Sequence, residues 1–171
     1  MSDCTIRPAT PADIDDIMRL IEEGRKKMMD EGNTRQWANG HPRQEVVEDD
    51  IKRGNSYLLT TDSGIPLATF ALIAGPDPTY ARIDGGSWLN DEPYYVIHRI
   101  ASSAKAHGVM RQVIAYALTK TRNIRIDTHE DNQTMRALLT KYGFVYCGII
   151  YLANGDERLA FQLTDNQKSE K

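Results

Sequence analysis

Residues 94–127 read YYVIHRIASSAKAHGVMRQVIAYALTKTRNIRID, and the fold turns on this stretch. Residues 94–101 are an apolar, partly β-branched and aromatic run, the composition of a buried strand. From Gly108 onward Met110, Ile114, Ala117 and Leu118 recur at helical spacing, and Ile124 and Ile126 then alternate about Arg125 as a short second strand. Strand, helix and strand make a β-α-β unit, so part of the sheet is parallel.

The flanking sequence extends the sheet on both sides. Residues 5–7 predict a short first strand. Thr10-Pro11-Ala12-Asp13 then supplies an N-cap, a proline at the first helical position and an acid three residues after the cap. Ile14, Ile17, Met18 and Ile21 carry the apolar stripe of a helix that stops near Gly32. A loop over 33–42 precedes a polar helix over 43–52 ended by Gly54, and residues 56–61 and 65–74 form a hairpin around Asp62-Ser63-Gly64. The segment 75–93 is dense in Pro, Gly, Asn and Asp, which predicts loops around a short strand at 80–83. Downstream, Met135, Leu138, Leu139 and Tyr142 mark a helix ending at Gly143, and strands over 144–152 and 157–163 close a hairpin at Asn154-Gly155. That hairpin offers an edge for a homodimer, or one blunted by Asp156, Glu157 and Arg158. No repeat or linker interrupts residues 1–165, which predict a single α+β domain, and residues 166–171 read as a frayed tail.

Composition narrows the function classes. A chain of 171 residues, 40% hydrophobic and 26% charged, is long enough to bury a core and too ordinary for a disordered or low-complexity protein. Twenty-one Lys plus Arg against twenty-four Asp plus Glu give a formal charge of −3, too balanced for a polyanion-binding surface, so nucleic acid is not the expected partner. The longest apolar stretch, 67–75, falls short of the roughly 20 residues of a membrane helix, and residues 1–4 lack the pattern of a secretory leader; cytoplasm is the expected compartment. Cys4 and Cys147, without a Cys-x-x-Cys pair, predict reduced thiols. In 127–131 adjacent acidic and histidine side chains diverge and no second ligand cluster accompanies them, so no metal is expected, and Asp131 and Asn132 read as a helix cap.

The chemistry concentrates where the strand at 94–101 turns into the helix at Gly108. Such a junction leaves backbone N–H groups unpaired at the helix start, where the dipole favours negative charge. Gly108 lets backbone approach a ligand, and Lys105, His107 and Arg111 can add charge-assisted contacts to a phosphate. On spacing alone, a glycine before a helix is more often a plain turn.

The order of elements and the second helix resolve this further, because here the sequence resembles the GNAT superfamily of N-acetyltransferases over essentially its whole length. Lys105-Ala106-His107-Gly108-Val109-Met110 stands where that family has its Gln/Arg-x-x-Gly-x-Gly/Ala cofactor loop, with Lys105 and Met110 departing from the usual types. Asn132, Met135, Leu138 and Gly143-Phe144 follow the family spacing Asn-x-x-Ala-x-x-Leu-x4-Gly-Phe, and Ile6-Arg7-Pro8-Ala9-Thr10 looks like its first strand. The resemblance implies a mixed, mainly antiparallel sheet of about seven strands flanked by about four helices, splayed between its fourth and fifth strands. It also implies that acetyl-CoA enters the splay as cosubstrate, with pantetheine along Ile100, Ala101 and Ser102, pyrophosphate at 105–111, and Asn132 near the thiol. An acceptor amine then attacks the thioester directly, while a backbone N–H of the fourth strand stabilises the oxyanion.

The acid and base stay open. The family's tyrosine acid, seven residues after Asn132, is replaced by Leu139; Tyr142 lies on a similar side of that helix, although an aromatic there is more often core. A thiolate can also leave unassisted. For the base, the positions that match the family's offer Tyr94 and Tyr95, with Glu92, a solvated loop carboxylate in its plain reading, just upstream and His98 further along. Histidine is the residue type suited to proton transfer near neutrality, and His98 would share a strand face with Tyr94, Val96 and Ile100, against the alternative of a structural histidine. Trp37 and Trp88 stand in loops that flank the family's acceptor cleft, as pocket walls or as loop anchors. The expected function is therefore acetyl transfer to the amine of a small molecule, amino acid or peptide. The alternatives are a GNAT-like domain that binds CoA thioesters without catalysis, and a β-α-β unit for another phosphorylated ligand.

Overall fold

A computed structural model of the chain describes residues 4–164; the tail at 166–171 lies outside them. Strand β1 (Cys4–Pro8) leads through a 3₁₀ turn at Pro11–Asp13 into helix α1 (Ile14–Asp30), followed by α2 (Gln44–Lys52), β2 (Ser56–Thr61) and β3 (Pro66–Ala74). Then come β4 (Tyr95–Ser102), α3 (Val109–Ala117), β5 (Asn123–Thr128), α4 (Gln133–Lys141), β6 (Val145–Tyr151) and β7 (Glu157–Thr164). The seven strands form one sheet in the order β1-β2-β3-β4-β5-β7-β6. Every neighbouring pair is antiparallel except β4 and β5, which the intervening helix makes parallel.

Local chemistry accounts for the start of α1. Asp13 accepts the Thr10 N–H at 2.8 Å and takes both nitrogens of the Arg7 fork at 2.8 and 2.9 Å. The Arg7 bonds hold its carboxyl down at about 2 despite partial burial. Ile17, Leu20 and Ile21 then pack with Leu58, Ala101 and Trp37 on one face of the sheet. Gly24 is what lets α1 sit so close: a Cβ there would lie 3.1 Å from Ala101 Cβ and 3.3 Å from the Trp37 ring. On the opposite face, Val113, Ala117 and Leu139 of α3 and α4 pack against Phe70, Leu72, Ile97 and Phe161.

Three expectations are corrected. The short strand at 80–83 does not form. Pro78 pre-sets its φ and Asp77 accepts the Thr79 N–H at 2.9 Å, which closes a 3₁₀ turn at Pro78–Tyr80 and sends the Tyr80 ring into a cluster with Val96, Ile150 and Ala160. Only an isolated bridge between Asp84 and Ile149 joins this segment to the sheet. The charged end of the terminal hairpin does not guard an edge either. β7 lies inside the sheet between β5 and β6, and Arg158 is 6% exposed.

The third correction concerns β4. His98 is paired with Ala71 and Ala101 with Thr69, so β4 carries one more residue than β3 across this interval. That bulge contains Arg99 at φ +53°. It shifts the alternation, so His98 stays with Tyr94 and Val96 beside Tyr80 while Ile100 turns to the α3/α4 cluster instead of sharing the His98 face. Already before the bulge, beyond Val96, β4 leaves β5: the parallel ladder holds only Tyr95 to Ile124 and Val96 to Arg125.

Candidate active site

Where β4 and β5 part, two neighbouring cavities share part of their lining. The larger, about 330 Å³, is lined by His98 and Arg99 of β4, Asp127 and Thr128 of β5, and Trp37 and Arg158. The narrower, about 110 Å³, lies between Ile100, Ala101 and Ser102 of β4 and Val109 and Met110 of α3. Asn132, Met135, Met28 and Ile100 border both.

The narrow end has the features of an anion cradle. Gly108 is the N-cap of α3 at φ +67°, a conformation that glycine adopts without strain. Open space surrounds the position of its absent Cβ. The first intrahelical bond is donated by the Gln112 N–H to the Gly108 carbonyl at 3.3 Å, so the N–H groups of Val109, Met110 and Arg111 precede the ladder. Lys105, His107 and Arg111 are exposed around this turn, Ala106 is half-buried, and the Met110 side chain is buried in the core. A pyrophosphate fits this turn, and the unpaired edge of β4 beyond Val96 fits an extended amide arm.

At the wide end His98 and Asp77 form a pair, with His98 Nε2 and Asp77 Oδ2 3.0 Å apart. Asp77 is held from three sides: Oδ1 accepts the Thr79 N–H and O–H at 2.9 and 2.7 Å, and its own N–H donates to the Tyr94 hydroxyl at 2.8 Å. Burial opposes ionisation of this carboxyl, yet the His98 and Thr79 bonds outweigh it and hold the pKa at about 2. Ionised Asp77 can only accept, so Nε2 carries the hydrogen and Nδ1 is the basic atom of the ring. Behind the pair the Tyr80 hydroxyl donates to Asp127 at 2.6 Å; burial and then the Asp127 charge push this phenol well above its ordinary range, so it stays protonated.

A comparison with solved structures identifies the arrangement. An acetyltransferase of the GNAT family from Streptococcus agalactiae 2603 is 36% identical to this chain, covers 94% of it and 95% of its own length, and superposes with a TM-score of 0.83. The chain belongs to the GNAT family of acetyltransferases.

Two further solved structures share the fold at lower identity. A GNAT family acetyltransferase from Listeria monocytogenes 4b F2365 is 23% identical, with 94% of each chain covered and a TM-score of 0.71. A chain of the NatC complex bound to Gag peptide and CoA is 13% identical, with 95% and 98% covered and a TM-score of 0.62. No family model matches the sequence, and no curated protein does either.

Within this GNAT fold the candidate residues fall into three groups. His98, Ile100, Ala101, Ser102, Val109, Met110, Asn132 and Trp37 line the two cavities. Asn132 also caps α4, accepting the Met135 N–H at 3.0 Å, and donates its amide to Gln36 at 2.9 Å. Tyr94 lies one layer back, bonded to Asp77 and stacked against Arg125, whose guanidinium lies 4.0 Å from its ring centroid. Two candidates are corrected. Tyr142 caps the far end of α4, roughly 10 Å along the axis from Met135, and packs into the α3/α4 core. Trp88 does not line the cavities; it anchors its loop by donating to the Tyr80 carbonyl at 2.9 Å and covering Arg125. Among the described residues no group of three or more His, Cys, Asp or Glu side chains could hold a metal.

Asp77, Asp127, Gln36 and Arg158 are functional candidates that sequence reasoning missed. Asp77 does leave a local signal, since Asp-Pro-Thr is a turn-capping pattern. Its pairing with a histidine 21 positions later leaves none.

Proposed function

We propose that the protein is an acetyl-CoA-dependent N-acetyltransferase that transfers the acetyl group directly to the amine of a small acceptor. The observation that carries this reading is the pair of adjoining cavities where β4 and β5 part, one bordered by the first residues of α3 after the left-handed Gly108 and the other by the His98–Asp77 pair. The NatC neighbour bound to CoA supports it at the level of the fold.

Acetyl-CoA would supply the activated acyl group. The N–H groups at 108–111, with Lys105, His107 and Arg111, hold its pyrophosphate, and the free edge of Ile100, Ala101 and Ser102 pairs with the pantetheine amides. Asn132 orients the arm near the sulfur. His98 Nδ1 takes the proton of the acceptor amine, and Asp77 stabilises the imidazolium that forms. A β4 backbone N–H faces the carbonyl oxygen as charge develops there. The new bond joins nitrogen to the acetyl carbon, the C–S bond breaks, and the electron pair leaves with CoA thiolate. That thiolate leaves without a tyrosine acid, because Leu139 at the family position is buried. Trp37 walls the acceptor side; Trp88 and Tyr94 act through Tyr80 and Asp77.

The test is CoA release from acetyl-CoA with a broad panel of amines, run beside calorimetric binding of acetyl-CoA. Release with at least one amine class is expected. Tight binding with no release from any amine would instead favour a CoA-thioester-binding domain, a role that buried Leu139 and Met110 at two family positions would suit.

A further inference from the structure

Two arginines line the larger cavity, and their charges are engaged differently. Arg99 gives two nitrogens of its fork to Asp50, both at 2.7 Å, so that fork is already occupied by a carboxylate. Arg158 has no such partner. Its side chain donates to the Glu157 carbonyl at 2.9 Å and to the Gln36 carbonyl at 3.4 Å, and it makes no ion pair with a carboxylate among the described residues. A guanidinium has five N–H donors, so part of the fork is left for a ligand. The residue is 6% exposed, and its burial draws the pKa below the ordinary arginine range even with Asp127 and Asp156 near. The field is felt across the cavity: after burial, the charges of Arg99 and Arg158 are the main causes that lower the pKa of His41 at its rim.

An opposite charge stands beside Arg158. Asp127 of β5 is registered with Ala160, which makes it the diagonal neighbour of Arg158 on the same sheet face, about 7 to 8 Å away at the backbone. Tyr80 donates to Asp127 Oδ2, and Oδ1 has no partner among the described residues. A cation and an anion on one wall of a 330 Å³ cavity complement a small zwitterion.

We infer that the acceptor is a small amine that also carries a carboxylate: Arg158 binds the carboxylate, Asp127 attracts the ammonium, and His98 receives its proton. A single planar fork matches one carboxylate, whereas a phosphate dianion would face Asp127 and Asp77 with excess negative charge. This rests on the N-acetyltransferase reading above.

The test uses the full-length protein with acetyl-CoA and three matched panels: free amino acids, the same amino acids as carboxamides, and aminoalkyl phosphates. CoA release and, with CoA present, the shift in unfolding temperature are both measured. The expected result is a kcat/KM for the best acids at least about tenfold above their carboxamides and above the phosphates, the scale of one charge-assisted bond. Arg158→Gln should collapse that ratio, mainly through KM, and Arg158→Lys should keep part of it. The wild-type ratios need no variant to fold. Equal use of acids and carboxamides, or preference for the phosphates, would overturn the carboxylate assignment while leaving acetyl transfer intact. Stabilisation by acids that depends on Arg158 but without CoA release would uphold the anion site and overturn the transferase reading. No stabilisation and no release with any panel would overturn both.

Discussion

In the proposed reaction His98 is the residue on which the chemistry depends. Its imidazole faces the cavity with Nε2 fixed on Asp77, so replacing it by alanine removes a proton acceptor without removing a core side chain. His98→Ala is expected to lower kcat by about 10² to 10⁴ with acetyl-CoA affinity retained, as read by steady-state kinetics and calorimetry. Loss of folding would instead mark a structural histidine. Asp77 makes a second prediction through pH. Its folded pKa, about 2, lies below the ordinary carboxylate value of roughly 3.9. The stability it contributes is therefore complete above that ordinary value and lost as pH falls through about 2. Asp77→Asn should cost about 1 to 2 kcal/mol near neutrality, after allowing for screening, and the gap between variant and wild type should close between about pH 4 and pH 2 in thermal melts. His98 was legible in the sequence because a titratable ring stood in an apolar run. Asp77 was not, because nothing local reports which strand a loop carboxylate will reach, and Arg158 read as a solvated hairpin charge until the strand order put it inside the sheet.

The bulge in β4 is the element that shapes the site. Arg99 holds a left-handed backbone while its fork clamps Asp50 on α2, so the pair ties the bulge to the helix beside it. Asp50 is buried and the pair is largely shielded, so Asp50→Ala should destabilise the protein by about 3 kcal/mol, because it strands the Arg99 charge. Denaturant titration should show the double variant with Arg99→Ala losing less than the sum of the two single changes. Helices and hairpins were readable because their periods and turn residues are local: Gly108 and Asn154-Gly155 fell where a helix start and a hairpin turn were expected. The bulge carries no such signature. It exchanged the face of Ile100, and the capping chemistry of Asp77-Pro78-Thr79 replaced the strand expected at 80–83 by a 3₁₀ turn.

At the scale of the whole molecule, the parallel pair at the centre of an otherwise antiparallel sheet is what opens it. β4 and β5 share only two ladder pairs, and the gap beyond them holds a cavity at the start of α3 and, adjoining it, the cavity at His98. The central claim is that this gap is a CoA site. Thermal unfolding of wild type and Gly108→Asp with acetyl-CoA, CoA or ATP tests it most directly. At one hundred times its dissociation constant a ligand stabilises by about 2.7 kcal/mol, worth about 5 to 10 °C at this chain length. Acetyl-CoA and CoA should give that shift in wild type and ATP much less, and Gly108→Asp, which sets a side chain and a negative charge in the cradle, should lose most of it. No shift with acetyl-CoA, or the same shift in Gly108→Asp as in wild type, would contradict the account.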